Sequence, residues 1–134
     1  MAETLRLRVV TPERLLLDEE VSEVTAPGTA GEFGVLPNHI TFLSSLQPGR
    51  LTYKQGGQTH TIFVSGGFAE VVNNVMTVLA DGAEFADEID TELARAALRE
   101  AEERLKLLSP ADPAFVEVQA TQRQAQARLE VAGR

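Results

Sequence analysis

The sequence predicts an α+β chain: an N-terminal antiparallel β-sandwich, residues 1–86, followed by a C-terminal two-helix antiparallel hairpin, residues 87–134. Two observations carry this. Up to about Gly82, short apolar segments alternate at period two and are split by frequent turn formers. From Asp87 onward no glycine occurs until Gly133, and Ala, Glu, Arg, Leu and Gln dominate. Those residues lose little conformational freedom in a helix, whereas many short strands spaced by turns suit a sandwich or barrel.

Leu5, Leu7 and Val9 alternate with polar neighbours, which predicts a strand with one buried face, ended by Thr11-Pro12. Leu15-Leu16-Leu17 is a second short apolar run, and Val21, Val24 and Ala26 follow before the Pro27-Gly28 turn. Residues 31–49 alternate turn formers with large apolar side chains, predicting strands near 32–36 and 41–45 around a shaped turn at Pro37. Residues 50–54 and 59–64 read as a hairpin about Gln55-Gly56-Gly57-Gln58, and 68–72 and 75–80 as another about Asn73-Asn74. Asparagine tolerates left-handed backbone, so that pair suits a tight turn.

In the tail, Asp90 or Thr91 caps a helix whose apolar face is Ala94, Ala97, Leu98, Ala101, Leu105 and Leu108. Ser109-Pro110 stops it, and Asp112-Pro113 is a cap and first-turn pair for a second helix. There Phe115, Val118, Gln122, Ala125, Leu129 and Ala132 form a heptad-like stripe. The shared face is rich in alanine, which buries little area, so the hairpin is expected to be weakly held; two arrangements of it and permanent docking on the sheet both stay open.

Composition excludes several function classes. The 134 residues carry a net charge of −8, which gives no basic footprint for nucleic acid and repels anionic lipid. Membrane association is expected only through a protein complex. With no cysteine there is no disulfide, thiolate nucleophile or Cys-based zinc site. No secretory signal and no run of about 18 apolar residues is visible, so a cytoplasmic location is the expectation. No catalytic or metal-ligating set emerges either. His39 and His60 stand apart without ligand spacing. His60 reads as an exposed strand residue, while for His39 a structural hydrogen bond and a partner contact both stay open. The glycines at 28, 31 and 34 lack the Lys-Ser/Thr ending and following helix of a phosphate loop.

At residues 31–49 the sequence resembles a known family. Gly31-Glu32-Phe33-Gly34-Val35-Leu36-Pro37-Asn38-His39, then Leu46-Gln47-Pro48-Gly49, is similar to a segment of the ε subunit of bacterial F-type ATP synthases. That segment commonly reads Gly-x-Leu-Gly-Ile-Leu-Pro-Gly-His-Ala-Pro. Asn38 here replaces its usual glycine, and Ile40-Thr41 its Ala-Pro. The likeness continues through Phe63-Val64-Ser65-Gly66-Gly67-Phe68-Ala69-Glu70-Val71 and Asn74-Val75-Met76-Thr77-Val78-Leu79-Ala80, and covers essentially the whole chain.

The resemblance implies a non-catalytic central-stalk rotor subunit, peripheral on the cytoplasmic face of the bacterial plasma membrane. Its sandwich would link the γ subunit to the membrane c-ring, with Glu32, Phe33, Val35, Leu36 and His39 as partner contacts. Its hairpin would fold against the sandwich, or extend into the α and β subunits of the catalytic head and inhibit ATP hydrolysis. Some members bind ATP through Ile/Leu-Asp-x-x-Arg-Ala. Here Ile89, Asp90 and Ala94 match and Leu93 takes the arginine position; Glu84 and Arg128 match elsewhere, while Glu100 and Gln124 replace basic residues. Glu84, Ile89, Asp90 and Arg128 are thus the remaining ATP contacts, with weak or absent binding expected and no other cofactor. Arg95 lies more than half a turn from the motif position. The alternative, a stand-alone nucleotide-sensing domain, meets the same obstacle at Leu93.

Overall fold

The computed structural model describes residues 3–133. The strands are β1 (Leu5–Val10), β2 (Leu15–Val21), β3 (Glu23–Gly28), β4 (Gly31–Val35) and β5 (Phe42–Leu46), continuing with β6 (Gly49–Gln55), β7 (Gln58–Val64), β8 (Gly67–Val72), β9 (Val75–Ala80) and β10 (Ala83–Phe85). A 3-10 turn, Ala86–Glu88, leads into helices α1 (Thr91–Leu107) and α2 (Pro113–Ala132).

One hydrogen-bonded path joins the strands and divides at a single pair, Gly28 opposite Leu46. On one side lie β4-β3-β6-β7-β10, on the other β5-β8-β9-β1-β2. Their inward side chains, among them Leu5, Leu7, Val9, Val24, Leu51, Ile62, Val71 and Met76, make one core and are all nearly inaccessible. Alternation along each strand places these residues together, because period two sends every second side chain inward.

The pairing is antiparallel throughout the described residues except for β1 beside β9, which run parallel. The first strand inserts between its hairpin partner β2 and the distant β9, a long-range pairing that local pattern does not encode. β3 and β10 are further elements that the sequence reading did not name as strands. β10 is three residues long and ends against Ile62, too short for alternation to show.

Both expected hairpin turns form. Gly56 and Gly57 have φ of 58° and 80°, and Asn73 and Asn74 have φ of 50° and 66°, the positive pair that a two-residue type I′ loop requires. At Gly67, φ is 127° and a Cβ would meet the Leu79 carbonyl oxygen at 2.1 Å, so neither backbone nor space admits a side chain.

Both helices start as read. The Asp90 side chain accepts from Leu93 N–H, and Asp112 from Ala114 N–H with Pro113 in the first turn. The face of α1 is also as read, with Ala94 and Ala101 buried. On α2 the stripe is only half of what is buried. Val118 and Ala125 belong to it, but Ala127 and Val131 do not, and they pack with Phe63 and Ile89 in a second, smaller core. α2 therefore has two buried faces, one toward α1 and one toward the sandwich. Phe63 is the outward residue of a run, Ile62-Phe63-Val64, that is buried on both faces of the strand.

Candidate functional site

Two surfaces concentrate the residues singled out in the sequence. The first is the shaped turn after β4. Leu36, Pro37, Asn38 and His39 close a turn in which His39 N–H donates to Leu36 O at 3.2 Å. Pro37 sits second and Asn38, with φ of 64°, third, the pattern of a type II turn. The Asn38 N–H donates to Asn74 Oδ1 at 2.8 Å, and Asn74 Nδ2 donates to Thr4 O at 2.8 Å. One side chain thus ties the turn to the β8–β9 loop and to the start of the chain.

Around it, Phe33 meets Phe42 edge-on at 5.1 Å, and the His39 ring lies 5.7 Å from Phe42. His39 Nδ1 is 2.8 Å from Ile40 O; a carbonyl only accepts, so Nδ1 carries the proton. His39 therefore has a structural hydrogen bond and still keeps part of its ring at the surface. Glu32 and Leu36 are exposed and Phe33 is half-buried. Val35 is a correction: expected among the contacts, it is fully buried in the sandwich core, because the strand alternation that exposes Gly34 turns Val35 inward.

The structure adds residues that the motif did not single out. Ile40 and Leu43 are 77% and 69% exposed. Leu43 lies diagonal to Phe68 across the β5–β8 ladder. Register then sets Phe68 opposite Leu79, Leu79 beside Val10, and Val10 opposite Leu15. This apolar row crosses four strands, about 15 Å at sheet spacing. Phe68, Leu79 and Leu15 are each more than half exposed. Row membership depends on register between strands remote in sequence, so it could not be read locally.

The second surface is a groove of about 280 Å³ between the hairpin and β10, lined by Glu84, Asp90, Leu93, Gln124 and Arg128 among others. Arg128 Nε donates to Glu84 Oε1 at 2.7 Å, and its guanidinium lies over the Phe63 ring. Arg128 is the one cationic residue lining the groove among the described residues, and two carboxylates accompany it. Ile89 does not line the groove; it is buried in the small core under α2. Arg95 is likewise elsewhere, paired with Glu92 at 2.7 Å. His60 is not simply an exposed strand residue: it is half-buried at the rim of the core and stacked on Tyr53 at 5.1 Å.

Residues 4–86 match the β-sandwich domain of the ATP synthase delta/epsilon chain, and residues 87–133 match the long alpha-helix domain of the same chain. The chain belongs to the ATP synthase delta/epsilon family. It is 50% identical over 134 residues to the ATP synthase epsilon chain of Geobacter metallireducens, covering 100% of this chain and 97% of that one. It is 62% identical over 97 residues to the epsilon chain of Nitratidesulfovibrio vulgaris Miyazaki F, 72% of each chain. Among solved structures it resembles a chain of the Euglena gracilis mitochondrial ATP synthase, OSCP/F1/c-ring, with TM-score 0.82 and 30% identity, over 100% of this chain and 83% of that chain. A chain of the Tetrahymena thermophila central stalk/c-ring has the same fold, with TM-score 0.64, 15% identity and 95% coverage of both chains.

Set against the epsilon-chain pattern, Asn38 is a conservative departure, since its left-handed backbone is the conformation that glycine adopts freely. Leu93 and Gln124, which stand where the resemblance implies basic residues, both line the groove. Glu100 lines a separate, smaller cavity with Arg104 and Val118.

Proposed function

We propose that this chain is the central-stalk rotor subunit of a bacterial F-type ATP synthase, coupling ion translocation to ATP synthesis by linking γ to the c-ring. End-to-end identity of 50% to an epsilon chain carries this reading. The subunit performs no chemistry of its own. It sits at the cytoplasmic face of the plasma membrane through the complex; among the described residues no helix is long and apolar enough to cross a membrane.

We assign the turn residues Glu32, Leu36 and His39 to the ring side and the Phe68–Leu79–Val10–Leu15 row to γ. An exposed apolar row of this kind marks a protein interface more often than bare surface. Replacing Glu32 and His39 together (Glu32→Gln, His39→Ala) is expected to impair proton pumping with the fold intact. Unchanged pumping would return the turn to a purely structural role.

The hairpin is the regulatory part. α1 packs on α2, and α2 carries the hairpin's main contact with β6 and β7 through a small, alanine-rich core. So small a core leaves docking marginal, which lets the hairpin exchange between a docked state and one extended toward the α and β subunits. In the extended state it inhibits ATP hydrolysis. ATPase activity of the assembled enzyme is expected to rise when residues 88–134 are deleted; no rise overturns the inhibitory role. The groove binds ATP weakly or not at all, since one cation already paired to Glu84 faces two carboxylates. That charge balance also weighs against a stand-alone nucleotide sensor.

A further inference from the structure

The turn between β1 and β2 is joined to the segment linking the two domains by an ion pair whose partners are 74 residues apart. Arg14 Nη1 donates to Glu88 Oε2 at 3.1 Å and Nη2 to Glu88 Oε1 at 2.8 Å, the bidentate fork that gives guanidinium–carboxylate pairs their directionality.

Both partners are positioned in advance. Thr11, 8% exposed, donates its hydroxyl to Arg14 O at 3.2 Å and accepts from Arg14 N–H at 3.1 Å. Thr11 N–H also donates to Arg14 O at 2.9 Å. Across the pair, Glu88 Oε1 accepts from Phe85 N–H at 2.9 Å, which folds the carboxylate back over its own turn. Less freedom is therefore lost when the pair closes than for two free surface chains.

Glu88 is the last residue of the 3-10 turn. Ile89 and Asp90 follow in extended backbone, with φ, ψ of −73°, 126° and −81°, 97°, before α1 begins. Up to Phe85 the chain is held by the pairing of β10 with β7, and at Glu88 it is tied to the sandwich through Arg14. Beyond it, the ties are the Phe63–Ile89–Ala127–Val131 core and the Arg128–Glu84 pair. Two extended residues between fixed elements are where a hinge absorbs backbone change.

We propose that Arg14–Glu88 is a hinge clasp. It keeps residues 86–88 on the sandwich when the hairpin leaves, and so places the pivot at Ile89 and Asp90. This rests on the mobile hairpin of the preceding section.

The chain has no cysteine, so spin labels can be placed cleanly. One label goes on the sandwich (Gln58→Cys) and the other on the linker (Asp87→Cys) or on α1 (Glu103→Cys), all exposed positions. Pulsed dipolar distances are measured on the full chain in an Arg128→Ala background, which populates the free hairpin. The 58–103 distance is expected to show two populations and the 58–87 distance one. Adding Arg14→Ala should split the 58–87 distance, raising its displaced fraction about two- to five-fold, the range for an exposed ion pair. Glu88→Gln should do the same, and the charge swap Arg14→Glu with Glu88→Arg should reverse it. A 58–87 distance already split with the clasp intact, or still single after Arg14→Ala, overturns the clasp. A single 58–103 distance in every variant overturns the mobile hairpin and the clasp with it.

Discussion

The guanidinium carbon of Arg128 lies 4.5 Å from the centroid of the Phe63 ring. Phe63 is fully buried and is the centre of the surface on which α2 rests. Glu84 holds the same guanidinium from the side, so one arginine makes both a cation–π and an ionic contact between hairpin and sandwich. A partly exposed cation–π contact contributes about 0.5–1 kcal/mol and an exposed ion pair up to about 1 kcal/mol. Arg128→Ala is therefore expected to weaken docking by about 0.5–2 kcal/mol. Thermolysin cleavage of the hairpin, which tracks the open population when reclosing is fast, should accelerate about 2- to 30-fold. Arg128→Lys should fall between, because it keeps charge but loses the planar stack.

Asn74 is expected to matter more than its place in an exposed loop suggests. It combines a left-handed backbone with two hydrogen bonds to other segments, Asn38 N–H and Thr4 O. Asn74→Ala loses both bonds, about 0.5–1.5 kcal/mol each, and strains the backbone by about 1–2 kcal/mol. Thermal unfolding should show a loss of about 2–5 kcal/mol. Asn38→Gly should be nearly neutral, since its backbone N–H still reaches Asn74 and glycine accepts the same φ.

These two relationships show what was legible in the sequence. Period-two alternation found the hairpins of β6–β7 and β8–β9, and the caps at Asp90 and Asp112 bounded the helices, because each is a local signal. The left-handed backbone of Asn38 is equally local, but the sequence reading marks the residue only as standing where the family pattern has glycine. What escaped was non-local: the parallel β1–β9 ladder, the Phe68–Leu79–Val10–Leu15 row, and Arg14 meeting Glu88. Val35 was misplaced because a motif was read as a surface without its alternation. The second face of α2 left a trace, Ala127 and Val131 four residues apart, but it was overshadowed by the heptad stripe. The Ile62-Phe63-Val64 run was the clearest neglected signal, since an unbroken apolar run in a strand means cover on both sides.

A pair of glycine substitutions separates backbone strain from steric exclusion. Gly67 and Gly31 have nearly the same φ, 127° and 129°. A Cβ at Gly67 would strike the Leu79 carbonyl, whereas at Gly31 nothing lies within 4 Å. Gly31→Ala should cost only the conformational strain, about 1–3 kcal/mol by chemical denaturation. Gly67→Ala adds a clash with sheet backbone and should cost more than about 4 kcal/mol, seen as loss of soluble folded protein.

Acid should loosen the linker before the sandwich core. Arg14, and then the Phe85 amide, hold the Glu88 carboxyl below the usual glutamate range. A depressed carboxylate stabilises the folded state fully above its unfolded pKa, near 4.3, and that contribution is lost as pH falls through the lower folded value. Asp18 behaves alike through its hydrogen bond with Arg6. Stability of the wild type should therefore decline below about pH 4.3 more steeply than that of Glu88→Gln. Equal pH slopes for the two proteins would mean that Glu88 is not coupled to folding.

Adding cations to the groove should create or strengthen nucleotide affinity. Leu93, 68% exposed, and Gln124, half-buried, both line the groove, so long basic side chains there can reach into it from the surface. Arg128 is already engaged by Glu84, and Asp90 accepts from Leu93 N–H, which leaves the unmodified groove with little free positive charge. Each new charge-assisted hydrogen bond to phosphate contributes about 1.5–3 kcal/mol, roughly tenfold or more in affinity. Leu93→Arg with Gln124→Arg should therefore bind ATP at least tenfold more tightly than the wild type in calorimetric titration, and adding Glu84→Gln should strengthen it further by freeing Arg128. Micromolar affinity in the wild type would show that the missing cations are not what limits binding. Failure of the double variant to gain affinity would place the limit in the shape of the groove instead.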